Sequence, residues 1–208
     1  TGCTEPIAVA YCAAKLREVL GGKPEEVLAE VSGNILKNVK SVVVPNTDGR
    51  RGIDAAIAVG IVAGDADAEL QVIANVTEDD AAAIQGYLDA TPIKVTCPVT
   101  PCLLDIFLHG KRAGHTAAVR VANNHTNIIY MERDGEVLLE KPLTANAEDN
   151  LQDKSVLNVK DIITFAETVP LDRIEPVIGR QIACNTAIAE EGLRNSWGAN
   201  IGSTLLQR

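Results

Sequence analysis

The sequence predicts an α+β fold, a mainly antiparallel sheet at about residues 92–141 plus an earlier strand, packed with helices. Three observations carry this. Between Pro92 and Lys141 apolar side chains recur at every second residue, as Ile93, Val95 and Cys97, then Leu104, Ile106 and Leu108, then Ala117, Val119 and Val121. Ile53, Ala56, Ile57, Gly60 and Ile61 instead share one helical face. Nowhere do strand and helix signals alternate as in a βαβ chain.

In chain order, Pro6 to about Leu20 reads as a helix that Gly21-Gly22 closes and Pro24 cannot continue. Thr4 is placed to cap it. Glu26 to Ser32 reads as a strand, Val42-Val43-Val44 as a short β-branched run ended by Pro45, and Asn46 to Gly52 as a turn-rich loop. The helix from Ile53 ends near Gly64, and short helices follow at Ala68–Ala74 and at Glu78–Leu88, with Thr77 capping the latter. In the 92–141 region the strands are expected to be antiparallel neighbours. Asn123-Asn124 and Asp134-Gly135 tolerate positive φ and close hairpins before Ile128–Tyr130 and Val137–Leu139. Leu143 to Ser155 is polar and irregular. The domains predicted are therefore a core at 1–142, a linker at 143–158 and a helical segment at 159–208, with helices at Asp161–Thr168 and at Ile174–Glu191 ending at Gly192.

The chain has 208 residues, 46% of them hydrophobic, enough to bury the core of one domain with a small appendage. A net charge of -9 with scattered Lys and Arg argues against a nucleic-acid partner. No apolar run reaches the 18 or so residues of a membrane span, so no membrane partner is expected. Cys3, Cys12, Cys97, Cys102 and Cys184 form an odd, sparse set unlike a secreted disulfide scaffold, and the expected location is cytoplasmic. Cys97 and Cys102 make a C-x4-C without the C-x2-C of common iron-sulfur motifs, and read as strand ends flanking a Pro-Val-Thr-Pro turn. Cys12 and Cys184 fall in apolar helical patterns that suggest core packing.

Three places could carry chemistry. Cys3 stands at a helix N-terminus, where the helix dipole favours a thiolate and Glu5 opposes it. Asp48-Gly49-Arg50-Arg51-Gly52 sets two guanidinium groups beside a helix start, either to hold a carboxylate or as a solvated basic turn. His125-Thr126-Asn127 follows a hairpin turn, where an imidazole can exchange protons near neutral pH and an amide can orient a substrate, the plainer reading being an ordinary turn histidine. Gly198-Ala199-Asn200-Ile201-Gly202 is a candidate loop lining the same site.

The string Gly2-Cys3-Thr4-Glu5-Pro6-Ile7-Ala8 resembles the signature of the L-cysteine desulfidase family, also described as serine-dehydratase-alpha-like and grouped with UPF0597 proteins. The resemblance continues in order through Val44-Pro45-Asn46-Thr47, Gly52-Ile53, Ala58-Val59-Gly60 and His125-Thr126-Asn127-Ile128. It implies a [4Fe-4S] lyase that eliminates sulfide from L-cysteine to give pyruvate and ammonia, with L-serine dehydration as the related reaction and no pyridoxal phosphate. On that resemblance Cys3, His125 and Asn127 are catalytic, Thr4, Glu5, Arg50, Arg51 and Gly52 bind substrate, and Cys3 is a candidate cluster ligand. Family members are roughly twice as long, with further cysteines in their C-terminal half. The chain is therefore read as an N-terminal fragment, inactive alone and without a complete cluster, from a protein that acts on a small amino acid and could be a homo-oligomer. The rival readings are an L-serine dehydratase and a non-catalytic amino-acid-binding domain.

Overall fold

The structure, a computed structural model, describes residues 3–144, 157–196 and 199–207. The chain divides into two compact units, Thr1–Glu148 and Asp149–Arg208. In the first, an α+β unit, the elements run α1 (Glu5–Leu20), β1 (Glu26–Val31), α2 (Gly33–Val39), α3 (Gly52–Ala63), a 3-10 turn (Ala66–Gln71), α4 (Glu78–Ala90), and strands β2 (Ile93–Thr96), β3 (Asp105–Arg112), β4 (His115–Ala122), β5 (Ile128–Arg133) and β6 (Glu136–Glu140).

The helix α1 is buried nearly all round, which its composition permits: Ala8, Ala10, Ala13 and Ala14 are small, and Val9, Leu16 and Leu20 supply bulk. One side of it packs on β3 and β4, the other on α3. The α3 crossing is close enough that a Cβ added at Gly60 would lie 2.2 Å from the Ala10 carbonyl oxygen. The Arg17 guanidinium then donates to the carbonyls of Ile61 (3.1 Å) and Gly64 (2.8 Å), satisfying the C-terminal end of α3 from the neighbouring helix. Gly21 ends α1 in the left-handed region at φ 78, its N–H reaching back to Arg17 and Glu18. That is the predicted glycine stop.

The six strands are ordered β2-β1-β3-β4-β5-β6. Every neighbouring pair is antiparallel except β1 and β2, which run parallel with Val27 opposite Ile93. This corrects the expectation that the strands of the 92–141 region are all neighbours. The residues of β2 occupy the far edge, because the helices between β1 and β2 return the chain to the same end of the sheet before it starts again. The other strands do follow one another through turns. Two of these, Ala113-Gly114 and Asp134-Gly135, have both residues at positive φ, which suits the right-handed twist of the strands they join.

Alternation sends Ile106, Leu108, Val119 and Val121 into the helix-covered core. The opposite face carries a cross-strand row, Thr96, Glu30, Phe107, Arg120, Tyr130 and Glu140, each directly opposite the next. Within this row Arg120 makes a two-pronged pair with buried Asp105 (2.8 and 2.6 Å) and lies 5.1 Å from the centre of the Phe107 ring.

Other expectations are corrected locally. Val42–Val44 forms no strand, since only Val43 bridges to Arg51. The predicted helix at Ala68–Ala74 is a 3-10 turn at Ala66–Gln71, broken where Glu69 takes φ 48. The Thr77 cap is present as a capping box with Asp80, whereas α2, seven residues opened by the Ser32 cap, was not anticipated. The predicted linker falls mainly on residues outside those described. In the second unit α5 (Val159–Thr168) matches expectation, but Ile174–Glu191 is not one helix. It is α6 (Leu171–Ile174), a π turn (Glu175–Gly179) containing Pro176, and α7 (Arg180–Arg194), which runs through Gly192; α8 (Ile201–Leu206) follows. Pro176 lacks the N–H an unbroken helix needs there, and Gly192, with its φ not positive, gives no stop. Cys184, expected in a core, is exposed on α7.

Gly60→Ala tests the α1–α3 contact. Although alanine is the better helix former, its methyl would meet backbone, which cannot move aside as a side chain can. We expect a net loss of about 1–3 kcal/mol in urea unfolding; unchanged or increased stability would contradict the close crossing.

Candidate functional site

Because α1 is held rigidly along its length, its N-terminus presents Cys3 and Glu5 in a defined place. The Cys3 thiol donates to Glu5 Oε2 at 2.8 Å, and the Asn38 amide on α2 donates to Glu5 Oε1 at 3.1 Å. Both carboxylate oxygens are therefore engaged, one by a neighbour in sequence and one by a separate helix. Thr4 occupies the cap position but is in the right-handed helical region, and its side chain makes no capping hydrogen bond. Its carbonyl instead accepts from Ala8 N at 2.9 Å.

The electrostatics reverse one expectation. Partial desolvation of the sulfur, followed by the hydrogen bond to Glu5, raises the Cys3 pKa above its ordinary value. The helix end does not yield a thiolate here, since desolvation of the sulfur and its hydrogen bond to Glu5 both favour the protonated form. Glu5 responds in the opposite direction: the Cys3 thiol, then the Asn38 amide and the charge of the His125 imidazole, lower its pKa. The result is a protonated thiol and an ionised carboxylate held together at the start of α1.

Asn127 has a different place. Its side-chain amide donates to the Ala122 carbonyl at 2.9 Å, and its backbone N–H and C=O pair with Asn124 and Ala122. It shapes the β4–β5 connection from which His125 projects. Arg50 and Arg51 diverge rather than forming one clamp. Arg50 donates to the Thr47 carbonyl (2.6 Å) and to Gln85 on α4 (3.0 Å), while Arg51 donates to the Ser41 carbonyl (3.0 Å). Gly52 N–H, at the start of α3, is taken by the Val42 carbonyl, and Gly52 holds φ 91, which a side chain would strain. Buried Thr47 donates to Val44 O, and Asn46, at φ 60, donates to Ile73 O. The Val44–Gly52 stretch thus bonds to itself and to Ser41, Val42, Ile73 and Gln85 around it. Among the described residues no hydrogen bond or ion pair links it to Cys3, Glu5 or His125.

The other cysteines do not gather around Cys3. Cys12 is buried in α1 with its thiol toward the Val119 carbonyl, Cys97 is exposed, and buried Cys102 reaches the Thr144 carbonyl. Among the described residues no group of three or more His, Cys, Asp or Glu is arranged to hold a metal ion. A [4Fe-4S] cluster needs several converging thiolates, so the described residues do not fit a cluster. Of the proposed terminal loop, Gly198 lies outside the described residues, and Ile201 and Gly202 are helical, in the second unit.

Asn38 was missed because an asparagine on an unforeseen short helix has no local signature.

The chain is 44% identical over 207 residues to a UPF0597 protein of Treponema denticola, covering 99% of this chain and 48% of that protein. UPF0597 proteins of Desulfitobacterium hafniense and Fusobacterium nucleatum are 44% and 40% identical over 206 residues, with 48% of each covered. The chain thus spans about half the length of the curated relatives it matches. No family model matches it, and no solved structure matches it significantly. No helix among the described residues is long and apolar enough to cross a membrane.

Replacing Glu5 with Gln removes the carboxylate that, together with desolvation of the sulfur, favours the protonated thiol. Alkylation of Cys3 by iodoacetamide near pH 8, followed by peptide mass spectrometry, should become several-fold faster, because the thiolate is the reacting form. The rate at Cys97 should not change. An unaltered Cys3 rate would show that Glu5 does not set its protonation.

Proposed function

We propose that the chain is the amino-acid-handling half of a lyase that eliminates sulfide from L-cysteine, with the N-terminus of α1 as the reacting end. The carrying observation is the hydrogen-bonded set Cys3, Glu5 and Asn38, which holds the first part of the desulfidase-like motif at the start of α1. In the reaction the Cα proton is removed, the Cβ–S bond breaks with its electron pair leaving on sulfur, and the sulfide takes up a proton. The remaining 2-aminoacrylate tautomerises and adds water to give pyruvate and ammonia. A protonated thiol paired with a carboxylate can deliver one proton, and the neutral imidazole of His125, assigned here by the family resemblance, can accept another. Asn38 orients Glu5, and Asn127 shapes the turn that carries His125.

A [4Fe-4S] cluster is part of the same proposal for the complete protein, in which Cys3 as a thiolate ligand is the alternative to Cys3 as proton donor, the other ligands coming from outside this chain. No step is assigned to it, because the described residues do not form its site. Arg50, Arg51 and Gly52 hold the loop before α3, and in this reading they support substrate binding indirectly. The five thiols are unpaired, which suits a reducing cytoplasm. The same geometry serves L-serine, whose hydroxyl would leave in place of sulfide. A homo-oligomer is compatible with the reading and plays no part in it.

The test is pyruvate release by the complete, anaerobically reconstituted protein. L-cysteine turnover that falls on the order of 10²–10⁴-fold in Cys3→Ala is the expected result. A preference for L-serine would select dehydration instead. Silence toward both substrates with iron loaded would overturn the lyase assignment and leave amino-acid binding.

A further inference from the structure

The second unit has a surface that its own elements do not cover. None of the residues of α5, α6, α7 or α8 is buried. Among the described residues, fourteen large apolar side chains in this unit are exposed, against six in the much longer first unit, which seals its own core. The exposure is patterned. On α5, Val159, Ile162 and Ile163 fall at i, i+3 and i+4, and are 73%, 53% and 52% exposed. On α7, Ile182 and Leu193 lie three turns apart on one face, both exposed, and Arg194 and Glu190 pair beside that face at 2.8 Å. Apolar stripes of this extent mark surfaces that another body covers.

The polar faces indicate what kind of body. A helix that lies on a membrane carries a Lys- and Arg-rich polar face. Here the charges are mixed: Lys160, Asp161 and Glu167 on α5, Arg180, Glu190 and Arg194 on α7. An apolar stripe bounded by both signs suits a protein helix interface. The relatives supply the candidate, since their similarity runs over 99% of this chain, these helices included, and about half of each relative lies beyond the match.

We propose that α5 and α7 form a docking surface for the half of a relative-length protein that this chain does not contain. The occupant presents apolar side chains to the Ile162–Ile163 and Ile182–Leu193 stripes and mixed charge around them. The proposal is independent of the reaction, because association needs no turnover.

The experiment co-expresses residues 1–208 with the part of the Treponema denticola protein that lies outside the match, under separate tags. A 1:1 complex is expected by light scattering, with amide exchange in α5 and α7 slowed at least tenfold relative to the 1–208 chain alone. Ile182→Glu combined with Ile163→Glu should weaken the complex at least tenfold, and Leu138→Glu, on the first unit, should not. Recovery of the 1–208 chain only as a monomer or as a homodimer through these helices overturns the proposal. So does a complex that leaves α5 and α7 unprotected. A single chain joining the two parts provides a second readout in which folding together is assured by linkage, and rapid exchange of α5 and α7 there would also overturn it.

Discussion

The burial of α1 is the constraint on which the rest of the first unit depends. A helix that touches a sheet on one side and another helix on the other needs small side chains where backbones approach and bulk where they diverge. The alternation of Ala8, Ala10, Ala13 and Ala14 with Val9, Leu16 and Leu20 meets that need. Full burial of a large aliphatic side chain is worth about 1.5–3 kcal/mol, so α1 alone ties the sheet to α3 with several such contributions. Even its one buried thiol, Cys12, faces the backbone carbonyls of Ile106 and Val119 rather than a void. A helix fixed in this way is a stiff rod, and the groups at its first turn inherit the stiffness.

That inheritance gives the Cys3–Glu5–Asn38 set its meaning. A thiol and carboxylate two residues apart could pair on any flexible terminus. Here the carboxylate is also held by α2, and α2 is held by Ser32, whose hydroxyl accepts from Ile35 N and donates to the Leu103 carbonyl. The Asp105–Arg120 pair plays a comparable part on the other face of the sheet, where Thr100 also donates to Asp105. Polar groups in this unit are thus anchored from more than one element, and no buried side-chain polar atom among the described residues lacks a partner.

Much of the fold was legible because periodicity is a local property. The period-two runs marked β2, β3 and β4, and Gly21 and the Asp134-Gly135 pair marked where elements stop or reverse. Strand order was less legible: Ile93 and Val95 look the same whether β2 pairs with β3 or with β1, and only the helical return path decides. The break at Pro176 was readable from its missing N–H, but the apolar spacing around it masked the signal. The site was legible in its members more than in its chemistry. Cys3 at a helix start suggested a thiolate, and the sequence also showed Glu5 two residues away, but only geometry reveals the desolvation of the sulfur and the direct hydrogen bond to Glu5 that favour the protonated form. Arg50 and Arg51 looked like a clamp because adjacent residues share an address, while their side chains find separate carbonyl partners.

The outer strand β6 has a bearing on how the protein behaves in a crowded solution. Its sequence is Glu136-Val137-Leu138-Leu139-Glu140, with Val137 and Leu138 about half exposed at 49% and 51%. Such an edge invites a second copy to add its own β6. If two copies met antiparallel about Leu138, however, each Glu136 would stand opposite the other copy's Glu140, and two carboxylate pairs would repel across the new ladder. The flanking glutamates act as gatekeepers, keeping an apolar edge from becoming a template for aggregation.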